Sequence, residues 1–159
     1  MEIDLAVLAD AATVDPSGKL NILGIFDRIG VREFPARHRR VALVLRFSAG
    51  GNEAGEHKVG IGLRSPSGED LVRVNGNARM GGKRAGRPAN AMKVPQVLNL
   101  ENLVFKEAGL HHFDVEVDGE HQVSIPLTIE GPPDRAEQQG LASGPAAGGG
   151  PTTMRPAEA

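Results

Sequence analysis

Residues 3–31 read IDLAVLADAATV-DPSG-KLNILGIFDRIGV: two apolar runs flank a four-residue turn signal, and no later stretch carries as much apolar side chain. Asp15-Pro16-Ser17-Gly18 suits a type I turn followed by a left-handed residue. Asp15 can accept from nearby amides, Pro16 presets φ, and Gly18 can take positive φ without a Cβ clash. A bulge at Gly18 would close a three-residue loop and set Asp15 opposite Lys19. That register predicts the pairs Val14–Leu20, Ala12–Ile22, Asp10–Gly24 and Leu8–Phe26. On the other face it sets Ile3, Leu5, Val7, Ala9 and Ala11 against Val31, Ile29, Asp27, Ile25 and Leu23, and this face reads as core. The opposite face should be solvated in a simple sandwich. It nevertheless holds Leu8, Ala12, Val14, Leu20, Ile22 and Phe26, with Asp10 as a charge set among them.

Downstream, the basic connection Glu33 to Arg40 is broken by Pro35, and Val41 to Phe47 reads as a strand with Val41, Leu43, Leu45 and Phe47 on one face. Glu56 to Arg64 alternates with His57, Val59, Ile61 and Leu63 inward. Ser65-Pro66-Ser67-Gly68 repeats the first turn's grammar, so Arg64 should face Asp70 and Leu63 face Leu71, with a return strand from Asp70 to Asn77. Arg79 to Pro88 has no period and reads as a mobile basic loop. Val94 to Phe105, Leu110 to Val117 and His121 to Ile129 read as further strands. For the last hairpin a two-residue Asp118-Gly119 loop would oppose Val115 to Gln122 and mix the faces. A three-residue loop, Val117 to Gly119, opposes Val115 to His121 and keeps the apolar sets together.

From Gly131 onward Gly, Pro and Ala dominate, a composition unable to offset its ordering entropy by burial. The expected organisation is one domain over residues 1–130 and a disordered tail over 131–159. About eight short strands joined by hairpin turns, with no convincing amphipathic helix, predict an all-β fold: an antiparallel two-sheet β-sandwich, immunoglobulin-like or jelly-roll-like. A partly open barrel is the alternative.

Composition limits the chemistry. Net charge is −2, so no global field draws the chain to nucleic acid or an acidic membrane. There is no Cys, which excludes disulfides, thiolate catalysis and Cys-based zinc sites, and suits a reducing cytoplasm. The acidic start MEIDLAVLAD lacks the charge pattern of a signal peptide, and no apolar run approaches the ~18 residues of a spanning helix. A cytoplasmic location is expected, with no membrane association.

No nucleophile or phosphate-loop motif is present. His111 and His112 are adjacent and on a strand point to opposite faces. His111 and His121 would share an apolar face with no carboxylate beside them, a poor ligand set. Asp4 and Asp10 are too far apart along one strand for a shared site. The basic residues Arg79, Lys83, Arg84 and Arg87 have no Tyr or Trp beside them to stack on bases. Hence no catalytic, cofactor-binding or metal-ligating residue is assigned, and no nucleic-acid partner is expected.

VLADAATVDPSGKLNILGIFDRI, the following FP and GEH, and the closing GLHHFDVEVDG hairpin resemble an uncharacterised bacterial family of domains of unknown function. The resemblance runs from Leu5 to Ile129 and implies no activity or site. The closing hairpin is also similar to that of many immunoglobulin-like sandwiches, which concerns fold alone.

The expected function is a non-catalytic interaction or structural module that meets a protein partner or another copy of itself. Its candidate interface is Leu8, Asp10, Ala12, Leu20, Ile22 and Phe26, because large exposed apolar patches mark interfaces. The rival readings are burial of both hairpin faces within one domain, a small-molecule or glycan-binding sandwich, and an enzyme with an unfamiliar His/Asp site around His57, His111 or His121.

Overall fold

The first turn closes as its residues dictate. The structure, a computed structural model, describes residues 1–50, 53–81 and 92–133. In it the Gly18 amide donates to the Asp15 carbonyl and the Asp15 amide to the Lys19 carbonyl, both at 2.9 Å, with Gly18 at φ 85°. The Asp15 carboxylate accepts from the Ser17 hydroxyl and from the Ser17 and Lys19 amides. Strands β1 (Glu2–Val14) and β2 (Leu20–Phe26) pair antiparallel from Leu8–Phe26 to Val14–Leu20, the register expected from the turn.

The remaining strands are β3 (Arg28–Gly30), β4 (Ala36–Ala49), β5 (Gly55–Arg64), β6 (Asp70–Met80), β7 (Met92–Phe105), β8 (Gly109–Val117) and β9 (Glu120–Glu130). They form a two-sheet β-sandwich, with order β2-β1-β4-β7 in one sheet and β3-β9-β8-β5-β6 in the other. Nine strands rather than eight lie among the described residues, because the chain changes sheets at Asp27. The Asp27 carbonyl accepts from the Thr128 amide and the Glu130 carbonyl from the Val31 amide, both at 2.8 Å. β3 therefore runs parallel to β9, the one departure from antiparallel pairing among the described strands. No helix among the described residues is long and apolar enough to cross a membrane.

Between the sheets, alternate residues of each strand interdigitate. Val41, Leu43, Leu45 and Phe47 of β4 meet Val59, Ile61 and Leu63 of β5, Phe113, Val115 and Val117 of β8, and Ile125, Leu127 and Ile129 of β9. Leu8 belongs to this cluster at 1% exposure, while Leu23 and Ile25 are 71% and 64% exposed. The hairpin therefore faces the opposite way from the expectation. Two irregularities explain it. A bulge between Ile3 and Leu5 shifts the β1–β4 register, so Ile3 packs on the core but Leu5, Val7 and Ala9 turn away from it, while Ala6 and Leu8 turn inward. At the other end the crossing at Asp27 carries Ile29 into the core through β3 rather than β2. Ile3 and Ile29, toward the ends of the expected core face, pack on the core, while its middle faces away from it.

Bulges also correct the other hairpins. Ser65 to Gly68 turns as expected, with the Gly68 amide on the Ser65 carbonyl, and Arg64 faces Asp70. A register shift then sets Leu63 against Val72 rather than Leu71. In the last hairpin Val117 pairs with Glu120 and Glu116 with His121, so the loop is the two-residue Asp118-Gly119, at φ 52° and 85°. That turn matches the strands' twist. The mixing of faces that argued against it is removed by a bulge at Val115–Glu116, after which Val115 pairs with Val123 and Phe113 with Ile125. Strand β4 begins at Ala36, inside the stretch read as a connection, and β6 continues to Met80. Most of the basic loop (82–91) and the tail from residue 134 lie outside the described residues.

Candidate functional site

Three polar clusters could carry chemistry. At the first, His57 Nδ1 lies 2.7 Å from Asp118 Oδ2 and Nε2 lies 3.0 Å from the Glu53 carbonyl, while Asp118 Oδ1 accepts from the Lys58 amide at 2.9 Å. Asp118 occupies a left-handed turn position, and its carboxylate ties β5 to the β8–β9 turn. The His57 ring, then the Lys58 amide, holds the Asp118 carboxyl below its ordinary range. Both ring nitrogens of His57 are engaged by the scaffold, which makes this cluster a clasp.

The second cluster brings Ser124, Asp114 and His121 together on exposed positions of β8 and β9. The order is wrong for nucleophilic catalysis, which needs a base that takes the serine proton and a carboxylate that orients the base. Here Ser124 Oγ donates to Asp114, and His121 Nε2 sits 3.4 Å from the same hydroxyl with no carboxylate bonded to its ring.

The third is His111, fully buried against Phe105, whose ring meets it edge-on at 5.2 Å. Its Nδ1 donates to the Gly109 carbonyl at 3.1 Å, and Nε2 has no partner. His121 pairs with Glu116 and is exposed, so the two histidines are not brought together. Among the described residues no group of three His, Asp or Glu side chains is placed to hold a metal.

Asp4, Asp15, Glu107 and Asp118 all have carboxyls held below the usual range. The causes are, first, the Arg46 guanidinium and Lys93 ammonium at Asp4, the Ser17 hydroxyl at Asp15, the Ser67 hydroxyl at Glu107 and the His57 ring at Asp118. A carboxyl depressed in the folded state contributes stability that is present above its unfolded pKa of about 4 and is lost as pH falls through the folded value. The urea midpoint is therefore expected to fall between pH 6 and pH 3, and less steeply in Asp118→Asn. A midpoint flat over that range, or equally steep in the variant, would contradict the clasp.

The apolar surface lies elsewhere. On the outer face of the four-stranded sheet the rows run Ile25–Ala9–Ala42–Asn99 and Val7–Val44–Val97. Ala9, Ala42 and Val44 are fully buried on this face, outside the core cluster, and offer no surface. Toward one end lie the ion pairs of Asp4 with Arg46 (2.7 Å) and Lys93 (2.6 Å), and toward the other Arg40–Glu101 at 3.3 Å. What remains accessible is Leu23 and Ile25 of β2, the two most exposed large apolar side chains among the described residues. An apolar groove of about 370 Å³ lined by Ala6, Leu8, Ile25, Phe26, Ile125 and Pro126 runs beside them.

The expected interface residues are not one surface. Leu8 is in the core, and Phe26 packs half-buried against it, its ring 6.1 Å from that of His38. Ala12, Leu20 and Ile22 are half-buried and Asp10 is exposed. Both faces of the hairpin are apolar, so apolar content alone does not tell whether Leu23 and Ile25 face inward. Side-chain size gives no signal for the choice, since Leu8, Leu20, Ile22 and Phe26 on one face are matched by Leu5, Val7, Leu23 and Ile25 on the other.

The open edge of β2 differs from the others. Edges of sheets are normally blunted by charge, proline, irregularity or brevity. Edge strand β6 carries Asp70, Arg73 and Arg79; β7 carries Lys93, Pro95, Glu101 and a positive-φ Asn102; β3 has only 3 residues. Strand β2, LNILGIF, has neither charge nor proline. Its one irregularity, Gly24 at φ 68°, answers to β1, since a Cβ there would run into the Asp10 carboxylate.

No curated protein matches the chain, and the model of a family of unknown function matches residues 4–130.

Proposed function

We propose that this chain, which belongs to that family, DUF6941, is a non-catalytic interaction module that meets a protein partner through the open edge of β2 and its exposed side chains Leu23 and Ile25. The observation that carries the reading is the exposure of Leu23 and Ile25 on the one edge strand free of charge and proline. An apolar patch at a strand edge with ion pairs toward its margins has the anatomy of an interface, an apolar centre within a polar rim. The absence of Cys in the sequence supports a reducing cytoplasm as the place of action. In none of the three described polar clusters does a carboxylate orient a histidine that in turn contacts a hydroxyl, which favours the interaction reading over a catalytic one.

A benzophenone side chain in place of Leu23, irradiated in the cells that make the protein, tests this. Cross-linked adducts identified by mass spectrometry are expected at Leu23 and not at Asn75, an exposed position on the other sheet. Equal yields at the two positions, or none at Leu23, would overturn the reading.

A further inference from the structure

Resting on that reading, we infer that the partner is a second copy of this chain, added antiparallel along β2 about a two-fold axis at Leu23. Three observations carry this. The first is the incomplete support of the hairpin. The β1–β4 ladder ends at Ala9–Ala42, whereas the β1–β2 ladder continues to Val14–Leu20. Ala11–Val14 therefore pairs only with β2 among the described residues, leaving a two-stranded arm, and such ribbons are marginal in water without further strands. A second copy would make the arm four-stranded and join the two four-stranded sheets into one of eight.

The second is the state of the edge. Counting in twos from the Asp15–Lys19 hydrogen bond, Thr13–Asn21 and Ala11–Leu23 are the bonded pairs, so Leu20 and Ile22 turn their peptide groups toward the open side. In an antiparallel pair centred on Leu23 they meet the outward groups of Phe26 and Gly24 in the other copy.

The third is charge. Lys19 and Asp27 bracket β2, each four residues from Leu23. Counted along the chain, a two-fold at Leu23 brings each Lys19 to Asp27 of the other copy, twice per dimer, at the two ends of β2. Lys19 forms no ion pair among the described residues, and Asp27 reaches only its exposed neighbour Arg28, at 3.4 Å. The same register lays Leu23 on its own copy with Ile25 diagonal to it, covering the two most exposed apolar side chains of the domain. Opposite charges and apolar side chains set across an antiparallel pair both stabilise it, and a self-complementary strand is what an isologous two-fold interface requires.

Sedimentation equilibrium of the full chain tests the inference, with charge variants testing the register. The wild type is expected to dimerise. Lys19→Glu and Asp27→Lys should each raise the dissociation constant by about tenfold, and the double variant Lys19→Glu/Asp27→Lys should recover most of the loss. Urea midpoints of the dilute variants check that each monomer folds. A chain that stays monomeric at several hundred micromolar overturns self-association, as does a dimer indifferent to both single variants or unrescued by the double. If the chain is monomeric while the Leu23 cross-linker captures a different protein, the second copy is excluded and the interaction reading stands. Absence of both results overturns both.

Discussion

Phe113→Ala is expected to remove about 3–5 kcal/mol of stability and to lower the Tm by at least ~10 °C. Phe113 is fully buried on β8, where it pairs with Leu63 of β5 and Ile125 of β9. Strands flank β8 on both sides and the opposite sheet covers it, so the space left by the ring cannot collapse readily. With no Trp or Tyr and five Phe in the chain, Phe47, Phe105 and Phe113 are the largest fully buried side chains, and the aliphatic remainder has little volume to redistribute. Leu110→Ala on the same strand is the control. Leu110 is 46% exposed, and its truncation should change stability by no more than about 0.5 kcal/mol. Urea or thermal unfolding of the two variants checks both values. Similar losses for the two would contradict the facing of β8.

The second large effect separates the two faces of the hairpin. Leu8→Ala is expected to cost about 2–5 kcal/mol, since Leu8 sits in the core at 1% exposure opposite Leu43 and Phe26. Leu23→Ala, measured in dilute protein, should stay within about 0.5 kcal/mol, because Leu23 is 71% exposed. If the hairpin faced the other way the ranking would invert, with Leu23 costly and Leu8 silent. Unfolding midpoints for this one pair of variants therefore decide which side of β1–β2 is inside.

Local turn chemistry specifies the first hairpin's register and the Arg64–Asp70 closure of the second, but neither the Leu63–Val72 pairing beyond it nor the two-residue loop of the last hairpin. Asp15-Pro16-Ser17-Gly18 and Ser65-Pro66-Ser67-Gly68 specify their loops through carboxylate or hydroxyl acceptors, a fixed proline φ and a glycine that tolerates positive φ. The hairpin register of β1 and β2 follows from them over the whole ladder. The alternation in Glu56 to Arg64 likewise placed Val59, Ile61 and Leu63 in the core, and the all-β sandwich followed from many such short strands.

Which face of the first hairpin is buried follows from long-range pairing and not from its turn. A turn specifies which residues stand opposite one another but not which side another sheet will cover. That depends on β4 and on the bulge at Ile3–Leu5, which is a property of a pairing more than 40 residues distant in sequence. The same holds for the Val115–Glu116 bulge, which reconciles a two-residue turn with a consistent core face, and for the crossing at Asp27, whose carbonyl finds its donor on Thr128. One extra residue in a ladder costs little locally and inverts every side chain beyond it. For that reason the apolar excess of the hairpin is legible in the sequence, while the exposure of Leu23 and Ile25 rather than Leu8 and Phe26 depends on the second sheet.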